Sequence, residues 1–130
     1  MKIQLDDTAG RYAITAYGPG RITVNQTVYT RSLIVSPQRL IADWTPRLLS
    51  ALASEHLAEL LALAPEVVLI GTGRTLRFPH PSVLAGLVSA GIGHEIMDTG
   101  AACRTYNVLM GEGRRVAAGL LIEPEETQTS

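Results

Sequence analysis

The spacing of hydrophobic positions changes along the chain. Between Tyr12 and Val35 the apolar residues are β-branched or aromatic for the most part: Tyr12, Ile14, Ile22, Val24, Val28, Tyr29, Leu33, Ile34 and Val35. The turn signal Gly18-Pro19-Gly20 interrupts them, which predicts two or three strands. After Pro37, the segment from Gln38 to Trp44 sets Leu40, Ala42 and Trp44 against Arg39, Ile41 and Asp43, an imperfect alternation that suggests one more short strand.

Beyond residue 50 the period lengthens. Ser54 reads as the cap of a helix running to about Leu63, with Leu57, Leu60 and Leu61 on one stripe and Pro65 closing it. Glu66 to Ile70, EVVLI, is a short continuous apolar run ending at Gly71, the pattern of a buried parallel strand. A second helix from about Pro81 to Ala90 presents Val83, Leu84, Leu87 and Val88 and meets Gly91 as its terminator. Ile92 to Met97 follows as a strand. Asp98 or Thr99 caps a third helix through Met110, Gly111 or Gly113 ends it, and Val116 to Ile122 is the last strand. A β-rich start followed by α-β-α-β-α-β predicts an α/β sandwich whose early strands extend or flank the sheet. Residues 1–122 form one domain in this reading, and 123–130 a frayed polar tail.

Composition narrows the function classes. The 130 residues, 46% apolar and 18% charged, suit a folded domain with its own core rather than a disordered chain. Eleven basic and twelve acidic side chains give a net charge of -1, so no long-range field draws in a polyanion, and nucleic acid is not an expected partner. Cys103 is the single cysteine, which excludes an internal disulfide and a zinc site built on several thiolates and favours a reducing, cytoplasmic setting. The first residues acquire two acids at once and contain no signal-like apolar run. The most hydrophobic window, Leu57 to Ile70, is cut by Glu59, Pro65 and Glu66 and falls short of the ~20 apolar residues of a membrane span.

Chemistry is expected where an open α/β sheet places it, at the carboxyl ends of its strands: Gly71-Thr72-Gly73-Arg74 and Asp98-Thr99-Gly100. Free N–H groups at the start of the third helix, with Arg74 or Arg77 adding charge, would suit an anion or a carboxylate. The two glycines do not make a nucleotide fingerprint, because Leu76 stands where a small residue is needed and the single lysine is Lys2. A sharp turn with close backbone approach is the plainer reading.

On a helical wheel, Ala101, Ala102, Thr105, Val108 and Leu109 form the expected buried face, with Cys103, Arg104 and Asn107 opposite. Arg104 and Asn107 then form a recognition pair; alternatively Arg104 pairs with Glu112 or Asp98 and Asn107 caps a loop. Cys103 has no histidine at helical spacing and reads as structural. His56, His80 and His94 are scattered and read as surface or capping residues rather than metal ligands, and Ser82 and Ser89 lack a nucleophile-elbow context.

Three stretches together resemble one family: WTP at Trp44 to Pro46, LIGTG at Leu69 to Gly73, and above all DTGAACRTYNVLMGEGRRVAAGLL from Asp98 to Leu121. The chain is similar, from about Tyr17 to Ile122, to the small-protein family that includes mitochondrial complex I assembly factor 3, grouped largely as a domain of unknown function. The resemblance implies an α/β fold: a single three-layer domain around a central mixed β-sheet, with extra N-terminal strands. It implies a non-enzymatic protein-binding or assembly role, with no catalytic residue to transfer; no cofactor and no metal is expected. Without an Arg-rich presequence the chain reads as a bacterial-type member. The candidate binding residues are Gly71, Thr72, Gly73, Arg74, Thr99, Arg104 and Asn107. The alternative is a small-molecule site, or an enzyme, taking an anionic metabolite at the carboxyl ends of the strands. A plainer third reading has Arg104, Tyr106, Asn107 and Glu112 only lock the last helix to the last strand. Another protein is the expected partner, and the chain is expected as a monomer or, through an N-terminal edge strand, a weak dimer.

Overall fold

The computed structural model describes residues 10–124. β1 (Ile14–Gly18), β2 (Arg21–Val24) and β3 (Thr27–Tyr29) form an antiparallel meander of their own. β4 (Leu33–Val35) and β5 (Leu40–Ile41) follow, then a 3-10 turn at Leu49–Ala51 and α1 (Ser54–Leu61). The second half alternates: β6 (Val67–Gly71), α2 (Pro81–Ser89), β7 (Gly93–Met97), α3 (Thr99–Gly111) and β8 (Val116–Leu120). The main sheet has the order β5-β4-β8-β6-β7; β6 runs parallel to β7 and β8, and β4 runs antiparallel to β5 and β8. It is the central mixed sheet of an α/β fold. The early strands do both things expected of them: β4 and β5 extend the sheet, while β1 to β3 flank it.

Strands covered on both faces read as unbroken apolar runs, and alternation assigns each side chain to a layer. On β8, Val116, Ala118 and Leu120 enter one core while Ala117 enters the other; on β4, Leu33 and Val35 oppose Ile34; on β6, Leu69 opposes Val68 and Ile70. The first core is closed by Ile14, Ile22 and Val24 of the meander and by Ala102, Cys103, Tyr106 and Met110 of α3. The second is closed by Trp44, Leu57 and Leu60 of α1, and Leu87 of α2.

Several local expectations need correcting. The α1 cap is Ala53, whose backbone N–H donates to His56 Nδ1 at 2.9 Å, so Ser54 is already helical; the acceptor comes from inside the first turn. That helix stops at Leu61 because Ala64 takes a left-handed φ of 55° ahead of Pro65. On α2, Val88 is exposed, leaving Leu87 buried with Val83 and Leu84 half-covered. Only Leu40–Ile41 of the 38–44 segment pairs in the sheet, since Asp43 turns left-handed with φ 59°. Glu123, expected in the tail, is held against the β6 loop; residues 125–130 lie outside the described residues.

The largest correction concerns α3. Its buried face is Ala102, Cys103, Tyr106 and Met110, while Val108 is 58% exposed. Apolar identity alone misplaces the buried face of this helix, because Tyr106 sets its phase. Its ring fills the core between sheet and meander, and its hydroxyl leaves that core by donating to the Tyr12 carbonyl at 2.6 Å.

Candidate functional site

At the carboxyl ends of β6 and β7 the chain makes a knot centred on Thr99. The Thr99 hydroxyl accepts from the Gly73 N–H at 2.9 Å and donates to the Leu121 carbonyl at 2.8 Å, and the Thr99 N–H donates to Gly73 O at 2.9 Å. Gly71 must be glycine for this: a Cβ there would lie 2.9 Å from Thr99 Cα. Thr72 is buried, its hydroxyl donating to the Thr75 carbonyl at 2.7 Å and accepting the Arg77 N–H at 3.2 Å, which folds the loop over itself.

Above the knot lies a cleft of about 420 Å³. One wall is the β1–β2 turn, Tyr17 to Ile22; the other is Gly73, Arg74 and Leu121 to Glu123; Asp98, Thr99, Gly100 and Arg104 complete it. The two loops proposed from topology therefore converge. Of the seven candidates, Gly73, Arg74, Thr99 and Arg104 line the cleft, and Gly71 and Thr72 are absent from its lining.

Asn107 is absent from that lining too. Its side-chain oxygen accepts the Ile14 N–H at 3.0 Å and its amide donates to the Ile14 carbonyl at 2.7 Å, so it completes the backbone bonding of β1 as a neighbouring strand would. Arg104 makes neither expected ion pair. Its guanidinium stacks 5.8 Å from the Tyr17 ring centroid and donates to the Tyr17 hydroxyl. Together with Tyr106 on Tyr12 O, these bonds fasten α3 to the first strand, not to the last as the locking alternative had it. The GEGRR segment has a different job: Glu66 accepts from Arg114 Nε at 2.8 Å and from the Arg115 N–H at 3.1 Å, closing the opposite end of the sheet.

Charge in the cleft comes from Arg21, Arg74 and Arg104 against Asp98 and Glu123. The start of α3 is not the free anion site that topology suggested, because Asp98 accepts the Ala101 N–H at 2.8 Å and its carbonyl takes the Ala102 N–H. Hence the positive charge of the cleft lies on its arginines, not on the helix end. Arg77 lies outside the lining, its exposed side chain elsewhere on the loop. Sequence reasoning missed Arg21, Tyr17 and Glu123. The GPGR turn marks a hairpin, yet no linear signal says that its arginine faces, across one cleft, a loop fifty residues away.

Other candidates have other tasks. Cys103 is fully buried, and burial pushes its thiol up to about 12, with Arg104 working weakly in the opposite sense. His56 and His80 each accept a helix-capping N–H. Among the described residues, no group of three His, Cys, Asp or Glu side chains could hold a metal ion, and no helix is long and apolar enough to cross a membrane.

Fold and cleft define a small α/β domain whose N-terminal meander is clamped over one helix and walls a basic groove at the sheet's carboxyl end. The chain belongs to the family described as Protein of unknown function (DUF498/DUF598), whose model matches residues 14–121. It is similar to a crystal structure of a protein from Bordetella parapertussis, at 40% identity and TM-score 0.83, over 88% of this chain and 98% of that one. It is 34% identical over 125 residues to NADH dehydrogenase [ubiquinone] 1 alpha subcomplex assembly factor 3 of Danio rerio, covering 94% of this chain and 70% of that protein. A relative from Francisella tularensis, called a 13 kDa major membrane protein, is 31% identical over 119 residues, covering 90% of this chain and 96% of its own. The family resemblance read from the sequence is thus correct.

Proposed function

We propose that this chain is a non-enzymatic assembly module of the cytoplasm that binds another protein at the cleft and the loop beside it. One observation carries the reading: the β6–α2 loop that supplies Gly73 and Arg74 to the cleft also exposes Leu76 at 50% and Phe78 at 71%. An aromatic anchor bordered by arginines is the composition of protein-binding hot spots. The relative named as an assembly factor supports the same class of role. The lone thiol, buried and held protonated, supports it further, because a nucleophile needs access and a thiolate.

Pull-downs with the tagged wild-type chain, Phe78→Ala and Arg21→Ala test this. A partner retained by wild type and lost or depleted several-fold by both variants is expected. Identical partner sets for all three would remove the cleft and its loop from consideration. Neither substitution touches a core side chain, so the fold should survive both.

A second reading, an anionic small molecule, has its own observation. The cleft's volume of about 420 Å³ falls within the roughly 300–1,000 Å³ of small-molecule pockets. An anionic metabolite held there would place its charge near Arg21, Arg74 and Arg104.

A further inference from the structure

Glu123 leaves the end of the last strand and turns back into the cleft. Its Oε1 accepts the Arg74 backbone N–H at 3.3 Å and lies 3.7 Å from Arg74 Nε, while Arg74 Nη2 donates to the Pro124 carbonyl at 3.4 Å. The other carboxylate oxygen rests on the bare face of Gly73, where a Cβ would stand 2.6 Å from Oε2. Gly73 has a φ of +108°, so position and conformation both call for glycine. Although it follows the last strand, the Glu123 side chain is only 18% exposed. A backbone N–H, a guanidinium and a flat glycine face thus form a seat for a carboxylate, and the chain fills that seat itself.

Across the cleft, the Arg21 side chain has no hydrogen bond or ion pair among the described residues, and its guanidinium lies back over Gly18, 2.9 Å from where a Cβ would be. Arg104 is turned toward Tyr17 on the same side. Asp98 is committed to the Ala101 N–H. Glu123 is therefore the only carboxylate in the lining free to leave, and its departure would set three guanidinium groups around one groove with only the capping Asp98 against them.

We propose that the cleft recognises a carboxylate of its ligand, and that Glu123 occupies this position in cis as an internal competitor. The inference rests on the cleft being the binding surface, and it adds the chemistry recognised and the way occupancy is controlled. The ligand carboxylate displaces Glu123 from Arg74 and Gly73 and gains Arg21 on the facing wall. An acidic segment of a partner protein and a free dicarboxylate offer the same group.

The test titrates the full-length, 15N-labelled chain at low ionic strength with two probes, succinate and an end-blocked tri-glutamate peptide, following the Gly73 and Arg74 amides. Glu123→Gln keeps the side chain's shape and removes its charge; Glu123→Ala serves if that variant folds poorly. Removing a half-buried competing ion pair should tighten binding of at least one probe by about three- to tenfold. Adding Arg21→Gln to Glu123→Gln should cancel the gain. A response to the peptide alone identifies a protein segment as the source, and a response to succinate identifies a small acid; either supports the carboxylate. Equal affinity of wild type and both Glu123 variants for both probes overturns the proposal, as does a gain that Arg21→Gln leaves intact. Probe binding with no partner captured in the pull-downs would defeat the assembly reading and leave this one standing. Arg21-dependent capture with no effect of Glu123 would do the reverse.

Discussion

The Trp44 indole packs on the sheet at Gly119, where a Cβ would sit 2.6 Å from its Cη2. Trp44 is itself buried and packs edge-on against His56, so the ring has nowhere to retreat. Gly119→Ala should therefore cost about 1–3 kcal/mol of stability, the usual result of overfilling a packed core, measured by urea denaturation. A neutral result would mean that the indole can shift. Glu66 makes a second prediction at this scale. The Arg115 backbone N–H first, and then the Arg114 side chain, hold its carboxyl below the ordinary value of 4.5. The unfolded chain takes up the proton more readily, so the contribution is complete above the ordinary carboxylate range and is lost as pH falls through the lower folded-state pKa. Glu66→Gln should lower Tm slightly near neutral pH, and the two melting curves should converge in acid. A gap that widens in acid would contradict the assignment.

At the scale of elements, the decisive contact is α3 on β1. Tyr106 and Asn107 bond the backbone at Tyr12 and Ile14, and Arg11 Nη1 donates to the Met110 carbonyl at 3.1 Å. The meander forms a sheet separate from the main one, so this seam decides how firmly it sits. Asn107→Ala leaves the Ile14 N–H and carbonyl without their partner and should destabilise by about 1–3 kcal/mol. Hydrogen exchange should localise the loss, with amides of β1 and β2 opening sooner while those of β6 and β8 change less. Uniform acceleration would mean that the meander does not open on its own. Element order was legible in the sequence because each element announces itself locally: a β-branched run ending at Gly71, a proline-opened helix, Gly91 with φ 71° after α2. The phase of α3 was not, because a wheel ranks side chains by polarity. Tyr106 and Cys103 are polar by formula yet buried, and Val108 is apolar yet exposed.

Across the whole molecule, the cleft exists because four distant segments meet: the β1–β2 turn, the β6 loop, the start of α3, and the segment after β8. The Gly71 to Arg74 and Thr99 half was legible, since the carboxyl ends of parallel strands are neighbours by construction. Arg21 and Glu123 were not, because nothing local links a hairpin turn or the segment after the last strand to that loop. Arg104 and Asn107, expected as a recognition pair, part on folding: Arg104 faces the cleft, while Asn107 joins Tyr106 in holding the meander. The α/β class, the order of elements and the family are legible in the chain alone, because periodicity, turn residues and motif content are properties of short stretches. Folding alone settles which polar groups bond to backbone, which three arginines share a groove, and that Glu123 already sits in it. Those facts depend on the register of α3 against the meander and on where β8 releases the chain, and both are settled by packing between segments far apart in sequence.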